Sequence, residues 1–476
     1  MKSRYLKKIV CIITAFVLCV TPVMMPGASA DYLDAKYNSP VPFIHIKGLM
    51  TSDVYLDVSD PDAGTAYPPD VNNILKKVGK IIPALFALGI TRNYNKFADI
   101  YIPALKDALE PWFLNEKGEP SDNSGAINKY PPASQLKKNS MLWFDYDWRL
   151  DPIELAKQLN DYINYVLDAT GCSQVNLEGH SFGNVILMTY CGIYGTSKVR
   201  GALFNASAAN GETFTAELCK GEFKLDADGV TEFLKGVFAH ESGEGFFNGL
   251  FFVLNKIGFT PALCKLLNRI VDKTHDRFFS EFVYPLFGNW CSIWSMIPDE
   301  YFDECYDHVF NEVYKNDGID HSAMIEKIEK YNTSIRNRKE DILNDINDSA
   351  NLYVVARYGY CSVFATPSWR NASDLVIDVK YGSFGASTAD YGSVLSDEQI
   401  KGVDAKFISP DKTINASTCM FPEQTWFIYD YMHMRSKPED MFEKLLCYDG
   451  QATIDTFPEY PRFLKHIGDG IIVPNN

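Results

Sequence analysis

Positive charge is scarce in this chain: 45 lysines and arginines stand against 61 aspartates and glutamates among 476 residues, a formal net charge of -16. Four of the basic side chains, Lys2, Arg4, Lys7 and Lys8, fall within the first thirty positions, which hold no acidic residue, so losing that segment moves the charge by four, from -16 to -20. This balance argues against a nucleic-acid partner and fits a solubilising acidic surface. Metal-ligand patterning is also missing. None of the cysteines forms a C-x-x-C pair or a His-Cys cluster with zinc spacing, so neither a metal site nor a metal cofactor is expected. No internal repeat or low-complexity tract interrupts the chain, and after residue 30 nothing resembles a stop-transfer segment.

The first thirty residues read as a secretory signal: the four basic residues, an apolar run from Ile9 to Val20, and Ala28-Ser29-Ala30 as a small-residue cleavage site. The mature chain is then expected to start near Asp31 and to be secreted or extracellular. Cys11 and Cys19 leave with the signal and nine cysteines remain out of 11. An odd number leaves at least one thiol free or paired between molecules, and spacing does not give the pairing.

With 46% hydrophobic and 14% aromatic residues the chain can bury a large core. Strand-like runs recur at Pro42–Ile46, Met141–Phe144, Ser173–Glu178, Val199–Phe204, Leu352–Arg357, Asp374–Val379 and Thr425–Tyr429, with helical segments between, among them one from about Pro152 to Leu167. That alternation predicts an α/β fold with a mostly parallel sheet flanked by helices. Residues 31–210 and 351–476 read as two parts of one core. Residues 211–350 have helical patterning without strand rhythm and read as an inserted helical cap or lid. Phe246 to Phe259 is its most apolar stretch. It is either core of the cap or a lid over an acyl-chain pocket that makes transient contact with a membrane surface. Met324 to Asn347 is strongly charged and reads as one or two solvated helices.

Gly179-His180-Ser181-Phe182-Gly183 fills the pattern G-x-S-x-G between the run ending at Glu178 and the helix-compatible Asn184–Tyr190. In an α/β-hydrolase this order lifts a serine out of a tight strand-to-helix turn, and a side chain at either glycine would strike a neighbouring strand or helix. Ser181 is therefore the candidate nucleophile. Chain order then asks for an acid and afterwards a histidine. Only His433 and His466 come late enough. His433 follows the Thr425–Tyr429 strand directly and is the candidate base, whereas His466 in the C-terminal tail is expected at the surface. His45, His180, His240, His275, His308 and His321 precede the acid and are expected to be structural or solvent-facing.

Trp143-Phe144-Asp145-Tyr146-Asp147-Trp148-Arg149-Leu150 and Gly179-His180-Ser181-Phe182-Gly183-Asn184 together resemble the Y-D-W-R-L and G-H-S-x-G-N motifs of the lecithin:cholesterol acyltransferase-like family, with one amphipathic helix between them. The resemblance covers roughly Val41 to Ser207 and Leu352 to His433. It implies an α/β-hydrolase that acts on lipid or other acyl-ester substrates through an acyl-serine intermediate, with lipase, phospholipase and acyltransferase chemistry all represented, and it implies no organic cofactor. Where the family has His-Gly after its first strand this chain has Lys47-Gly48. Where the family carries its acid in an Asp-Gly-Thr-Val run, the nearest match is Asp390-Tyr391-Gly392-Ser393-Val394, which makes Asp390 the expected acid, with Asp378 and Asp411 as rivals. Backbone N–H groups of Leu49 and Phe182 are the expected oxyanion hole, and Asp147, Trp148 and Arg149 either border the site or form a buried brace for their loop. A catalytically silent binding protein on the same fold is the alternative reading.

Overall fold

The computed structural model describes residues 32–34 and 39–475 apart from 242, 436 and 437. The expected signal segment, residues 1–30, lies outside the described residues.

Nine strands form the central sheet: β1 (Tyr32–Asp34), β2 (Phe43–Ile46), β3 (Ser140–Phe144), β4 (Val175–His180), β5 (Val199–Asn205), β6 (Asn351–Tyr358), β7 (Thr425–Tyr429), β8 (Phe463–His466) and β9 (Ile472–Pro474). Their order is β1-β3-β2-β4-β5-β6-β7-β8-β9. The seven inner strands pair in parallel, and only the two edges, β1 on β3 and β9 on β8, are antiparallel. The inner strands are mostly apolar because helices cover both faces, and β4 and β6 are buried at nearly every position.

The helices that matter for the site are α1 (Val71–Val78), α2 (Ile81–Thr91), α3 (Tyr94–Leu109), α4 (Pro152–Thr170), α5 (Gly183–Tyr194), α6 (Thr213–Cys219), α7 (Ala227–Val237), α8 (Glu244–Lys256), α9 (Phe259–Phe278), α10 (Ser322–Ser334), α11 (Lys339–Ser349), α12 (Val379–Gly382) and α13 (Glu439–Cys447). Local signals fix α4 well. Asp151 caps it by accepting from the Ile153 N–H at 3.0 Å, Pro152 opens the first turn, and Gly171 at φ 67° ends it. Its buried face, Leu155, Leu159, Tyr162, Ile163 and Val166, follows the helical repeat and packs on α5, which is buried from Gly183 to Cys191.

Residues 211–350 contain helices and, among the described residues, no strand. They share the main core, however: Trp290 and Trp294 are fully buried, and Trp290 packs edge-on against Trp148 at 5.1 Å. The charged stretch 324–347 forms α10 and α11. Their inner faces, Met324, Ile328, Tyr331, Ile342, Leu343 and Ile346, are buried, and α11 lies on α5 and β6.

Two expectations fail. Asp374–Val379 is not a strand but a tight turn leading into α12, although its residues are as apolar as those of a buried strand. His466 is not at the surface: it lies buried in β8, stacked on Tyr431 at 4.3 Å. Among the described residues all nine cysteines are free thiols. Burial pushes the Cys191 and Cys361 thiols up to about 12.

Candidate active site

At the end of β4 the chain turns directly into α5, and Ser181 occupies that turn at φ 56°. This is a strained conformation for a residue with a side chain, costing on the order of 1–3 kcal/mol. The surroundings hold it there. The Ser181 N–H donates to the Asn205 carbonyl at 3.1 Å, and the Ser181 carbonyl accepts from the N–H groups of Asn184 (3.1 Å) and Ala208 (3.3 Å). Asn184 also donates its side-chain amide to the Asn205 carbonyl at 2.9 Å. Both glycines of the motif are required by contact. A Cβ on Gly183 would stand 2.2 Å from the Ile46 carbonyl oxygen, and one on Gly179 would stand 2.3 Å from Asn184 Oδ1.

The segment after β2 lies against this serine. A Cβ on Gly48 would stand 3.0 Å from the Ser181 Cβ, so the backbone at Gly48 passes directly against this serine. Neither the Leu49 nor the Phe182 N–H is taken up by a turn or cap hydrogen bond among the described residues. Lys47 turns to Asp145, with its Nζ 2.7 Å from Oδ1, and its carbonyl accepts from the Tyr146 hydroxyl.

His433 follows β7 and lies beside the elbow: its ring centroid is 4.7 Å from that of His180, the residue before the serine. Its acid partner is Asp374. His433 Nδ1 lies 2.8 Å from Asp374 Oδ2, and the His433 N–H donates to the Asp374 carbonyl at 2.9 Å, so the two residues are joined at two points. Asp374 Oδ1 accepts from the N–H groups of Val376 (3.1 Å) and Ile377 (2.8 Å), which leaves Oδ2 for the imidazole. Both side chains are buried. This pairing favours the tautomer with the proton on Nδ1 and the lone pair on Nε2.

The sequence-based choice of acid is therefore corrected. Asp390 is exposed, and its backbone carbonyl closes a local turn with Ser393. Asp411 is used within its own turn, where its Oδ1 accepts from Ser409 and Thr413. Asp378 is buried but pairs with Thr213 and Asn371 and not with His433. A glycine after the acid was the signal sought. Leu375 stands at that position with φ 83°, doing with strain what a glycine would do freely, so the marker was absent from the sequence.

Asp147, Trp148 and Arg149 form a buried brace. Arg149 Nε and Nη2 grip the Asp147 carboxylate at 2.9 and 2.6 Å, and Nη1 donates to the Pro111 carbonyl at 2.9 Å. Trp148 is fully enclosed, edge-on to Tyr67, Trp112 and Trp290, and donates to the Ser52 carbonyl at 3.2 Å. These residues act on the site by holding the loop that carries Leu49.

A polar chain that sequence reasoning missed runs across four adjacent strands. His45 on β2 meets Glu178 on β4 (2.5 Å), Glu178 accepts from Asn205 on β5 (3.0 Å), and Asn205 accepts from Arg357 Nε on β6 (3.2 Å). Arg357 Nη1 then donates to the carbonyls of Met432 (3.2 Å), His433 (3.1 Å) and Arg435 (3.2 Å), with the guanidinium 4.4 Å from the centre of the Tyr431 ring. The His433 carbonyl also receives His180 Nε2 at 3.1 Å. Burial, with the nearby His433 and Arg357, lowers the His180 pKa well below the usual histidine range, so its ring is neutral with the proton on Nε2. The signal was present in sequence as polar residues inside otherwise apolar strands.

Residues 239–241, within the expected cap, touch the same loop. Arg435 reaches Glu241 Oε1 at 2.8 Å and the Ala239 carbonyl, and His240 Nε2 lies 3.2 Å from Asp430 Oδ2. The end of α7 packs on the acid turn so closely that a Cβ on Gly236 would stand 2.8 Å from the Leu375 side chain. No group of three or more His, Cys, Asp or Glu side chains suited to a metal ion occurs among the described residues.

No family model matches this chain, and no curated protein matches it in sequence. Among solved structures, a chain of the Tle4-Tli4 complex is similar over 39% of this chain and 48% of its own length, at 13% identity and a TM-score of 0.21.

Proposed function

We propose that the chain is an exported serine hydrolase that cleaves or transfers the acyl groups of lipid esters, built on the α/β-hydrolase plan and related to the lecithin:cholesterol acyltransferase-like family. The observation that carries this reading is the arrangement at the elbow: a serine held at φ 56° between strand and helix, with a buried histidine–aspartate pair joined at 2.8 Å beside it. A turn that only connected two elements would not hold a serine in strain next to an oriented imidazole.

In the mechanism, Ser181 Oγ attacks the ester carbonyl carbon and its proton passes to His433 Nε2. Asp374 fixes the imidazole tautomer and stabilises the charged ring. The carbonyl oxygen becomes an oxyanion, received by the N–H groups of Phe182 and Leu49, each worth about 3 kcal/mol in comparable sites. The bond to the alcohol then breaks, the alcohol leaves with the proton from His433, and an acyl-serine remains. Water or a second alcohol, deprotonated by His433, releases the acyl group and restores the serine.

Lipid character is supported by the cap. Helix α8, which directly follows the segment pinned to the His433 loop, exposes Phe246 at 71% and Ile257, just past its end, at 69%. The test is covalent labelling with a fluorophosphonate probe. Modification of Ser181 in the native chain, lost on heat denaturation, supports the reading; a native Ser181 that stays unmodified while the chain is folded by circular dichroism overturns it in favour of a silent binding protein.

A further inference from the structure

We propose that α1, α2 and α8 form a docking face for an anionic lipid bilayer; this rests on the lipid reading for its biological use but not for its test. Helix α2 is the starting point. Residues 81–90, Ile-Ile-Pro-Ala-Leu-Phe-Ala-Leu-Gly-Ile, carry no polar side chain, yet only Ala84 and Leu88 are buried. The outward positions Pro83, Phe86, Ala87 and Ile90 recur at helical spacing, and Ile90 is 84% exposed. A surface helix whose partner is water carries polar groups on that side. Helix α1 continues the pattern with Val71 and Leu75 exposed one turn apart.

Helix α8 has two apolar sides. Phe247 and Phe251 turn inward onto Phe238, the first stacked at 4.2 Å and the second tilted at 5.6 Å, whereas Phe246, Leu250 and Val253 form an outward stripe that Ile257 continues past the helix end. The two regions are joined through packed helices, since α9 follows α8 and packs on α3, which carries α1 and α2. The Arg269 guanidinium of α9, 5.9 Å from the Tyr94 ring of α3, joins them.

Charge selects the occupant. In a chain with 61 acidic residues, residues 71–98 contain none, but hold Lys76, Lys77, Lys80, Arg92 and Lys96; residues 245–271 also contain none, but hold Lys256, Lys265 and Arg269. Asp107 of α3 pairs with Lys80 at 2.7 Å, which leaves the other four cations of the first segment and the three of the second beside the apolar stripes. Apolar stripes flanked in this way by lysine and arginine match a bilayer interface with negative headgroups. Among the described residues no single helix is long and apolar enough to cross a membrane; α8 and the helical run from Phe259 to Gly288 pass that test only as a pair bent by 68°, and with Phe247 of α8 packed on Phe238 the surface placement is the one proposed.

The test uses the purified Ser181→Ala chain, so that hydrolysis plays no part, and measures sedimentation with vesicles of phosphatidylcholine alone or mixed equally with phosphatidylglycerol. Mixed vesicles should bind about ten-fold more tightly, and the difference should fade as salt rises. Phe86→Ser with Ile90→Ser, and Phe246→Ser with Val253→Ser, should each weaken binding while leaving the melting temperature within a few degrees of the parent. Lys76→Glu with Lys77→Glu and Lys80→Glu should erase the headgroup preference. Equal binding to both vesicle types, or binding unchanged in both apolar pairs, overturns the proposal. So does a self-associated chain that ignores vesicles and becomes monomeric on Ile90→Ser, which would assign the face to a second copy. Vesicle binding that persists where the fluorophosphonate probe fails would sink the hydrolase reading and leave the docking face standing.

Discussion

Arg357 Nη1 lies 3.1 Å from the carbonyl oxygen of His433, and this contact ties the candidate base to the strand behind it. A loop following a strand is ordinarily free to shift, yet this one has three of its carbonyls, those of Met432, His433 and Arg435, gathered by one guanidinium. The same side chain connects through Asn205, whose carbonyl receives the Ser181 N–H. Ser181 and His433, the candidate nucleophile and base, are thus positioned from one buried network.

Arg357→Lys keeps the charge but loses the fork that spans several acceptors. Turnover of a short-chain ester is expected to fall about 10²-fold with KM little changed, as a displaced catalytic group would produce. Parental turnover in a folded Arg357→Lys chain would remove this residue from positioning, and equal losses in kcat and stability would make it a structural residue only.

Asp374→Asn should lower turnover by about 10⁴-fold, because an amide can hold the imidazole in the wrong tautomer. Asp390→Asn, Asp411→Asn and Asp378→Asn should retain most activity, since none of these carboxylates meets His433. Steady-state rates for the four variants side by side decide the matter, and collapse in Asp390→Asn with Asp374→Asn active would reverse the assignment.

Legibility in the sequence followed the strength of local rules. The strand at Thr425–Tyr429 has the expected bounds because a run of aromatic and β-branched residues has little choice between two helical layers. Ser181 was visible because both of its glycines are compulsory. Asp374 was hidden twice: its neighbours Leu375, Val376 and Ile377 look like a buried strand, and the left-handed position that a glycine would have marked is filled by leucine. His466 was misread because tail position says nothing about an added inner strand, and β8 is short. Arg357, a lone charge in an apolar strand, has partners 75 residues or more away in sequence for its loop contacts, which no local pattern reveals.

A pH effect follows from Glu212. Its enclosure and the neighbouring Asp378 carboxyl push its pKa well above the ordinary carboxylate range, and burial raises Asp378 as well. For a carboxyl whose folded pKa is raised, the folded chain holds the proton over a range where the unfolded chain has released it. Stability therefore falls as pH rises from the ordinary carboxyl range towards the folded value. Glu212→Gln keeps an acceptor for the Thr215 N–H, which Glu212 Oε2 receives at 3.1 Å, and carries no proton to lose. Thermal unfolding at pH 5 and pH 8 should show a smaller loss on going to the higher pH in the variant than in the parent. An unchanged difference would mean that Glu212 does not titrate with folding.

The elbow also predicts opposite outcomes for two glycine-to-alanine changes. At Gly183 the new methyl would sit 2.2 Å from the Ile46 carbonyl oxygen and 2.5 Å from that of Lys47, both backbone atoms at the end of a central strand that cannot swing aside. Helix α5 must move off β2, which should cost about 1–3 kcal/mol or more and shift the loop carrying Leu49, so both melting temperature and turnover should drop. At Gly89, inside α2, nothing lies within 4 Å of the added methyl. Relief of glycine's backbone entropy should then stabilise the helix by about 0.5–1 kcal/mol without touching activity. Differential scanning of the two variants reads both signs at once, and a Gly183→Ala chain as stable and active as the parent would mean that α5 does not press on the end of β2 as closely as the elbow requires.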